Sequence, residues 1–125
     1  MALTIANEVR KAALDGITPL FNSGFLRLDT SGDVELAKLT FGATAFAAAS
    51  TASPSVAASN AITADTSVTA GTIAKFLLQT SGSATRINGS VGVGSGDLQV
   101  SNNVIPSGAT EVSCTGGLSL SLQLS

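Results

Sequence analysis

The sequence predicts a mainly β protein in which a β-sandwich or jelly-roll-like body follows one N-terminal α-helix. Apolar and polar residues alternate along most of the chain, which is the period of a half-buried strand. Turn signals built from Gly, Asp, Asn and Pro separate these short segments, as in sandwiches and jelly rolls. Only residues 1–23 have a helical period. We therefore expect one domain over residues 1–125, with a helical segment at 1–23 and a β body at 24–125.

The first segment has apolar residues at helical spacing, with Thr4 as a candidate N-cap and Pro19 as a break. The face that this spacing defines contains Ile5, Val9, Ala12, Ala13 and Leu14. One interpretation is a helix that covers one side of the β core. The other is an arm that docks on a neighbouring subunit. The residues that would bind a partner in that case are Ile5, Val9, Arg10, Leu20 and Phe21.

The β body opens with two clear strands. Residues 25–29 and 34–41 alternate around a turn at 30–33. The stretch 42–61 consists mainly of Ala, Ser and Thr, and we expect an extended surface connection that supports the core without forming it. Strand patterns then recur, and the last one, 118–124, alternates Leu with polar residues throughout. We find no convincing internal repeat.

The composition excludes several classes of function. Ala, Gly, Ser and Thr make up half of the chain, and histidine is absent, which removes Ser/His/Asp and Cys/His nucleophile systems. A single cysteine provides neither an intrachain disulfide nor a four-sulfur zinc site. With six basic residues and a net charge of −2, the chain lacks the basic surface of a nucleic-acid binder. We therefore expect no enzyme, no cofactor, no metal site and no nucleic-acid partner.

Localisation signals are also missing from the pattern. No apolar run approaches the length of a membrane span, and the N-terminus lacks a basic start followed by an apolar stretch. We expect a soluble protein made in the cytoplasm, with no membrane partner.

Three local patterns resemble chemical sites but have simpler explanations. Asp29, Asp33 and Glu35 surround a glycine, and a hairpin turn explains them better than a calcium loop does. The glycines of 92–96 match no nucleotide fingerprint and are typical of a turn. Cys114 lies in a strand pattern and is expected to be a small buried residue.

Several segments together resemble the small head proteins of tailed bacteriophages. The opening helix, 5–15, precedes a Gly-x-Leu-x-Leu strand at 24–28, and residues 62–76 contain the Ala-Gly-Thr that leads into an apolar strand. Asn-Gly-Ser-Val-Gly at 88–92 and Gly-Ser-Gly-Asp-Leu at 94–98 complete the likeness. The chain departs from the family pattern at Asn88, where an Asp is usual, and in the Ala- and Ser-rich stretch at 43–61.

The resemblance implies a virion structural protein, a capsid decoration or cement protein. Its expected partners are the major capsid protein of a tailed phage and further copies of itself, as a dimer or trimer. Its expected location is the capsid surface, after synthesis in the host cytoplasm. Two alternatives stay open: a low-copy tail or neck adaptor, and a carbohydrate-binding β-sandwich for host attachment. The absence of Trp and Tyr, on which sugars commonly stack, weakens the second.

Overall fold

The computed structural model describes residues 4–115 and 117–123. The chain begins with an α-helix, α1 (Asn7–Ile17), which continues into a 3-10 turn (Thr18–Phe21). Pro19 lies in the first turn of the 3-10 segment, where its missing N–H leaves no bond unmade. The N-cap of α1 is Ala6, without a side-chain hydrogen bond, so the prediction of Thr4 as the cap is wrong.

Strands make up most of the remaining regular structure. Their bounds are β1 (Phe25–Asp29), β2 (Glu35–Phe41), β3 (Ser55–Ala58), β4 (Ile62–Thr63), β5 (Gly71–Thr72), β6 (Lys75–Gln79), β7 (Thr85–Gly92), β8 (Leu98–Gln99), β9 (Val104–Ile105) and β10 (Ser119–Leu122). A six-stranded sheet has the order β4-β2-β1-β6-β7-β8, in which only β7 and β8 are parallel. β3 pairs with β10, and β5 pairs with β9. The prediction of a mainly β protein with one N-terminal helix is confirmed.

The helix packs against the pair β3–β10, which we call the ribbon. Its buried side chains are Arg10 and Leu14, one turn apart, whereas Val9 is 52% exposed. The predicted apolar face is therefore correct for Leu14 and wrong for Val9 and Ala12, which are exposed. The helix is rotated relative to the predicted orientation, because Leu14 packs into the same hydrophobic cluster as Phe21, which follows it by two turns.

The small-residue stretch 42–61 is partly a strand and partly core, which corrects the expected surface connection. β3 lies within it, and the N–H groups of Ala47 and Ser50 donate to the carbonyls of Ala58 and Val56 at 2.8 and 2.9 Å. Several of its apolar residues are buried, namely Ala45, Phe46, Ala49 and Ala57. Small side chains are buried here because they let the ribbon approach the helix and the sheet closely.

One hydrophobic cluster joins the helix, the sheet and the ribbon. At its centre the rings of Phe21, Phe41 and Phe46 contact one another, with centroids 5.5 to 6.5 Å apart. Leucines from the inner face of the sheet surround them: Leu26, Leu28, Leu39 and Leu78. The 3-10 turn thus places an aromatic side chain from the N-terminal segment in the middle of the β core.

The leucines of β10 face the core, as their alternation predicts. Leu118, Leu120 and Leu122 are half-buried against the cluster, and Ser119 and Ser121 are exposed. Leu124, the last leucine of the pattern, lies outside the described residues.

This register is tested by placing a charge on each side of the ribbon. Leu120→Asp is expected to lower the free energy of unfolding by about 2–3 kcal/mol, because it puts a carboxylate into a partly apolar site. Ala58→Asp, on the exposed side of β3, should change it by less than about 0.5 kcal/mol. Urea denaturation followed by circular dichroism measures both. Equal losses would contradict the register.

Two hairpins of the six-stranded sheet share one backbone design, 50 residues apart. In both β1–β2 and β6–β7, the strand leads into a Thr-Ser-Gly turn. Thr30 N–H donates to the carbonyl of Val34, and Thr80 N–H to that of Ala84, each at 2.9 Å. Asp33 and Ser83 both adopt a left-handed conformation, with φ of 66° and 62°. Each hairpin also has one register shift beside its turn. The structure thus contains a repeated hairpin, although the sequence shows no convincing internal repeat.

The two hairpins are related by a local two-fold axis through the sheet. β1 pairs with β6 in antiparallel fashion, and Arg27 lies directly opposite Leu77. These two residues occupy the same position in their hairpins, since they too are 50 residues apart. The central four strands, β2-β1-β6-β7, are consequently pseudo-symmetric, and the short strands β4 and β8 flank them.

Among the described residues, no helix is long and apolar enough to cross a membrane.

Candidate interaction surfaces

The structure separates the five residues predicted to bind a partner. Phe21 is fully buried and Arg10 is 7% exposed, so neither side chain is presented at the surface. Arg10 Nη1 donates to the carbonyl of Ile5 at 2.8 Å and to Oδ1 of Asn7 at 2.9 Å, which ties the start of the helix to its first turns. Ile5 is itself half-buried.

Val9 and Leu20 are the two members of that set with surface to offer. They are 52% and 49% exposed, and the helix that carries them is docked on the ribbon. The first interpretation, a helix that covers one side of the core, is thus what the structure shows. Partner binding by Val9 and Leu20 stays a prediction.

Asp15 connects the helix to the segment before β3. Its carboxylate accepts from Lys11 Nζ at 2.6 Å and from the N–H of Ala49 at 2.8 Å. The hydrogen bond from Lys11 and then the one from Ala49 hold the pKa of Asp15 below its ordinary value. The lower pKa means that the folded state favours the charged form.

A pH titration tests this connection and a second one, between Lys75 and Asp33. Because both aspartates have lowered pKa values, their contribution is complete above their unfolded pKa of about 3.9 and is lost as the pH falls through the folded values. We expect Tm to fall as the pH drops below about 5, and Asp15→Asn to make that fall shallower. Lys11→Met should do the same, since it removes the main cause of the shift. An unchanged pH profile in both variants would contradict the assignment.

The outer face of the pseudo-symmetric sheet carries a network of charges. Arg27 Nε contacts Asp29 Oδ1 at 2.7 Å and Glu35 Oε1 at 3.5 Å. The hydrogen bond to Asp29 raises the pKa of Arg27. Asp29 is buried, and the carboxylates of Asp29 and Glu35 contact the guanidinium of Arg27, whereas that of Asp33 pairs with Lys75. No group of three metal-ligating side chains occurs among residues 4–115 and 117–123.

A groove of about 410 Å³ opens at one end of this face, beside the first hairpin turn. The ion pair of Lys75 Nζ with Asp33 Oδ1 (2.7 Å) lies on its wall, and this bond lowers the pKa of Asp33. Asn88 adds an exposed amide, and Leu77 supplies an apolar surface. These groups suit a polar ligand with an apolar side.

The equivalent position in the other hairpin is filled. The residue matching Lys75 is Phe25, and Lys38, which matches Asn88, lies over its ring with Nζ 4.2 Å from the centroid. Lys38 also donates to Ser83 Oγ at 3.0 Å. The same backbone therefore carries an open groove on one side and a covered aromatic ring on the other.

The ribbon, unlike the outer face of the sheet, contains no charged side chains. The two longest stretches of the sequence without Asp, Glu, Lys or Arg are 39–64 and 112–125. β3 lies in the first and β10 in the second, and they pair with each other over four residues. The fold thus pairs two uncharged segments in the ribbon, and all charged side chains lie elsewhere in the sequence.

Cys114 lies in the segment before β10 and is half-buried, so the prediction of a buried residue within a strand is wrong on both counts. Burial raises the pKa of its thiol, which favours the protonated, unreactive form.

Sequence reasoning missed the charged face and the groove. The Thr-Ser-Gly sequence at 30–32 and again at 80–82 was the available signal, because it marks two equivalent hairpins, and their β1–β6 pairing places Lys75 beside Asp33. The sequence indicates part of the ribbon, since the alternation at 118–124 predicts a strand, but it does not indicate that this strand pairs with the small-residue stretch.

No protein-family model, curated protein or solved structure matches the chain.

Proposed function

We propose that the protein is a virion structural protein, a capsid decoration or cement protein of a tailed bacteriophage. It binds the outer face of the shell of major capsid protein and stabilises it by bridging neighbouring subunits. It acts as a homo-oligomer on the capsid surface. The resemblance of the helix, the Gly-x-Leu-x-Leu strand and the 62–98 segments to small phage head proteins motivates this proposal.

The observation that best supports it is the uncharged ribbon. A protein that bridges subunits needs surface that approaches other backbones closely, and small side chains permit that approach. β3 and β10 offer such a surface, with Val56 36% exposed on its outer side. The absence of charge there removes the desolvation cost that a charged contact carries.

Binding of the purified protein to capsid shells tests this proposal. We expect the protein to co-sediment with shells of major capsid protein and to raise the temperature at which they break open. Val56→Glu should weaken the binding roughly tenfold or more, about 1.4 kcal/mol, because it puts a charge into the contact. Val93→Glu is the matched control, since Val93 is 56% exposed in a turn outside the ribbon and its substitution should leave binding unchanged.

Mass spectrometry of purified virions provides the second measurement. Copy numbers comparable with that of the major capsid protein are expected. Absence from the particle would contradict the proposal. A few copies per particle, located by electron microscopy at the tail or neck, would support the low-copy adaptor instead.

The groove favours carbohydrate binding as a second candidate function. Lys75, Asp33 and Asn88 offer donors and acceptors beside Leu77, a combination that suits a neutral sugar. A glycan array tests this candidate with the wild type and Asn88→Ala. Binding by the wild type that the variant loses would support it, and no binding by the wild type would contradict it.

A further inference from the structure

Within residues 4–115 and 117–123, β10 pairs with β3 along one edge and with no strand along the other. Ser59 N–H donates to the carbonyl of Leu118 at 2.7 Å, which fixes the even-numbered residues of β10 as those that bond to β3. In an antiparallel ladder the residues between them point their N–H and C=O groups the other way. These residues include Ser119 and Ser121, and no strand among the described residues pairs with them.

This edge lacks charges, prolines and bulges, the usual features that prevent strand addition, although β10 is only four residues long. Natural proteins protect edges with lysines, prolines, bulges or very short strands. β10 contains no charge and no proline, and its register with β3 is unbroken over four pairs. Its carbonyls and N–H groups are therefore available to another extended strand.

The side-chain pattern of β10 is complementary to itself. A two-fold axis perpendicular to a sheet carries each side chain to the same face, so residues of equal parity stand opposite each other. Two copies of β10 paired about such an axis would place leucine beside leucine and serine beside serine, whichever residue lies on the axis. A one-residue slip, which would mix the two faces, is incompatible with the symmetry.

The leucine row also has surface left to cover. Leu118, Leu120 and Leu122 contact the core yet are only half-buried. A second leucine row beside them would cover part of the exposed area. Residues 112–125 carry no charge, so two copies bring no like charges together.

We infer that β10 is the self-association edge of this protein and that its occupant is β10 of a second copy, in a two-fold antiparallel pair. The pair joins two ribbons into one continuous four-stranded sheet. The inference deepens the proposed function, on which it rests for the biological role of the dimer. Its test uses the purified protein alone, so it fails or succeeds independently of capsid binding.

Sedimentation velocity and size-exclusion chromatography with light scattering measure the oligomeric state. The wild type is expected to be a dimer that dissociates on dilution. Ser121→Pro removes an N–H that points to the open edge, and each lost bond counts twice across a two-fold axis. We expect the dissociation constant to rise roughly tenfold or more.

Ser107→Pro is the matched control. Ser107 precedes Gly108 (φ 85°) in a turn closed by the N–H of Ala109 and the carbonyl of Pro106, a position that proline favours. This variant should fold and dimerise like the wild type. Circular dichroism reports whether Ser121→Pro folds. If it does not fold, Ser121→Lys and Val56→Lys replace it in the measurement, since both residues lie on the exposed face but only Ser121 is on the edge. Ser121→Lys should then raise the dissociation constant of the dimer, and Val56→Lys should leave it unchanged.

Three results would overturn the inference: a wild type that stays monomeric at all concentrations, a wild type that forms a trimer, or a folded Ser121 variant that dimerises as tightly as the wild type. Loss of capsid binding by Val56→Glu with an intact dimer would support the proposed function and would leave this inference unaffected.

Discussion

Replacing Phe21 with alanine is expected to lower the free energy of unfolding by about 3–5 kcal/mol, the usual cost of truncating a buried phenylalanine. The side chain is 0% exposed and contacts the rings of Phe41 and Phe46. Its removal leaves a cavity at the junction of helix, sheet and ribbon, where no single element can move to fill it. Urea denaturation followed by circular dichroism measures the loss.

Leu20→Ala is the control next door. Leu20 is 49% exposed, so its truncation should cost less than about 1 kcal/mol. A larger loss for Leu20 than for Phe21 would mean that the 3-10 turn docks in another orientation.

Deleting residues 1–21 extends the same argument. The deletion removes Leu14 and Phe21 from the core cluster, and we expect the remainder not to fold. A soluble, folded remainder that no longer binds capsids would instead show that the segment is a docking arm.

Substituting Arg27 with methionine is expected to cost about 3 kcal/mol, the lower end of the range for breaking a buried ion pair. Methionine keeps much of the packing but leaves the carboxylate of Asp29, 1% exposed, without its cationic partner at 2.7 Å. The cost is at the lower end because Arg27 is itself 28% exposed. Thermal and urea denaturation measure it.

Lys75→Met tests whether burial decides the size of the effect. Its ion pair with Asp33 has the same length, 2.7 Å, but both side chains are largely exposed, so we expect less than about 1 kcal/mol. Adding Asp29→Asn to Arg27→Met should recover part of the loss, because it removes the unpaired charge. A double variant no more stable than Arg27→Met would contradict this account.

The parts of the fold that follow from the sequence are those where one side of an element is uniformly apolar. The alternation in 25–29, 35–41 and 118–122 gave strands with the expected buried faces, because a period of two leaves only one way to bury the large residues. Val34, predicted to belong to the second strand, precedes β2 and is 56% exposed. The stretch 42–61 gave no such signal. Its small side chains are buried only because the helix and the sheet happen to enclose them, which is a property of the tertiary structure.

The candidate surfaces were harder to predict for a similar reason. An apolar residue such as Phe21 looks the same in a sequence whether it faces its own core or a partner's surface. The two hairpins share Thr-Ser-Gly and little else, so their likeness lies in backbone hydrogen bonds and left-handed turn residues rather than in side chains. The groove follows from that likeness, since Asp33 and Lys75 meet only once the hairpins pair.

The pseudo-symmetric sheet has a consequence for how its two halves can diverge. In a symmetric dimer of identical hairpins every substitution appears in both copies. A substitution that improves one half and harms the other therefore cannot be confined to the half that it improves. Here both halves belong to one chain, and each position mutates alone. Phe25 with Lys38 fills one site while Lys75 with Asn88 leaves its twin open. Covalent linkage is what permits one half of the sheet to cover its site while the other half leaves the equivalent site open.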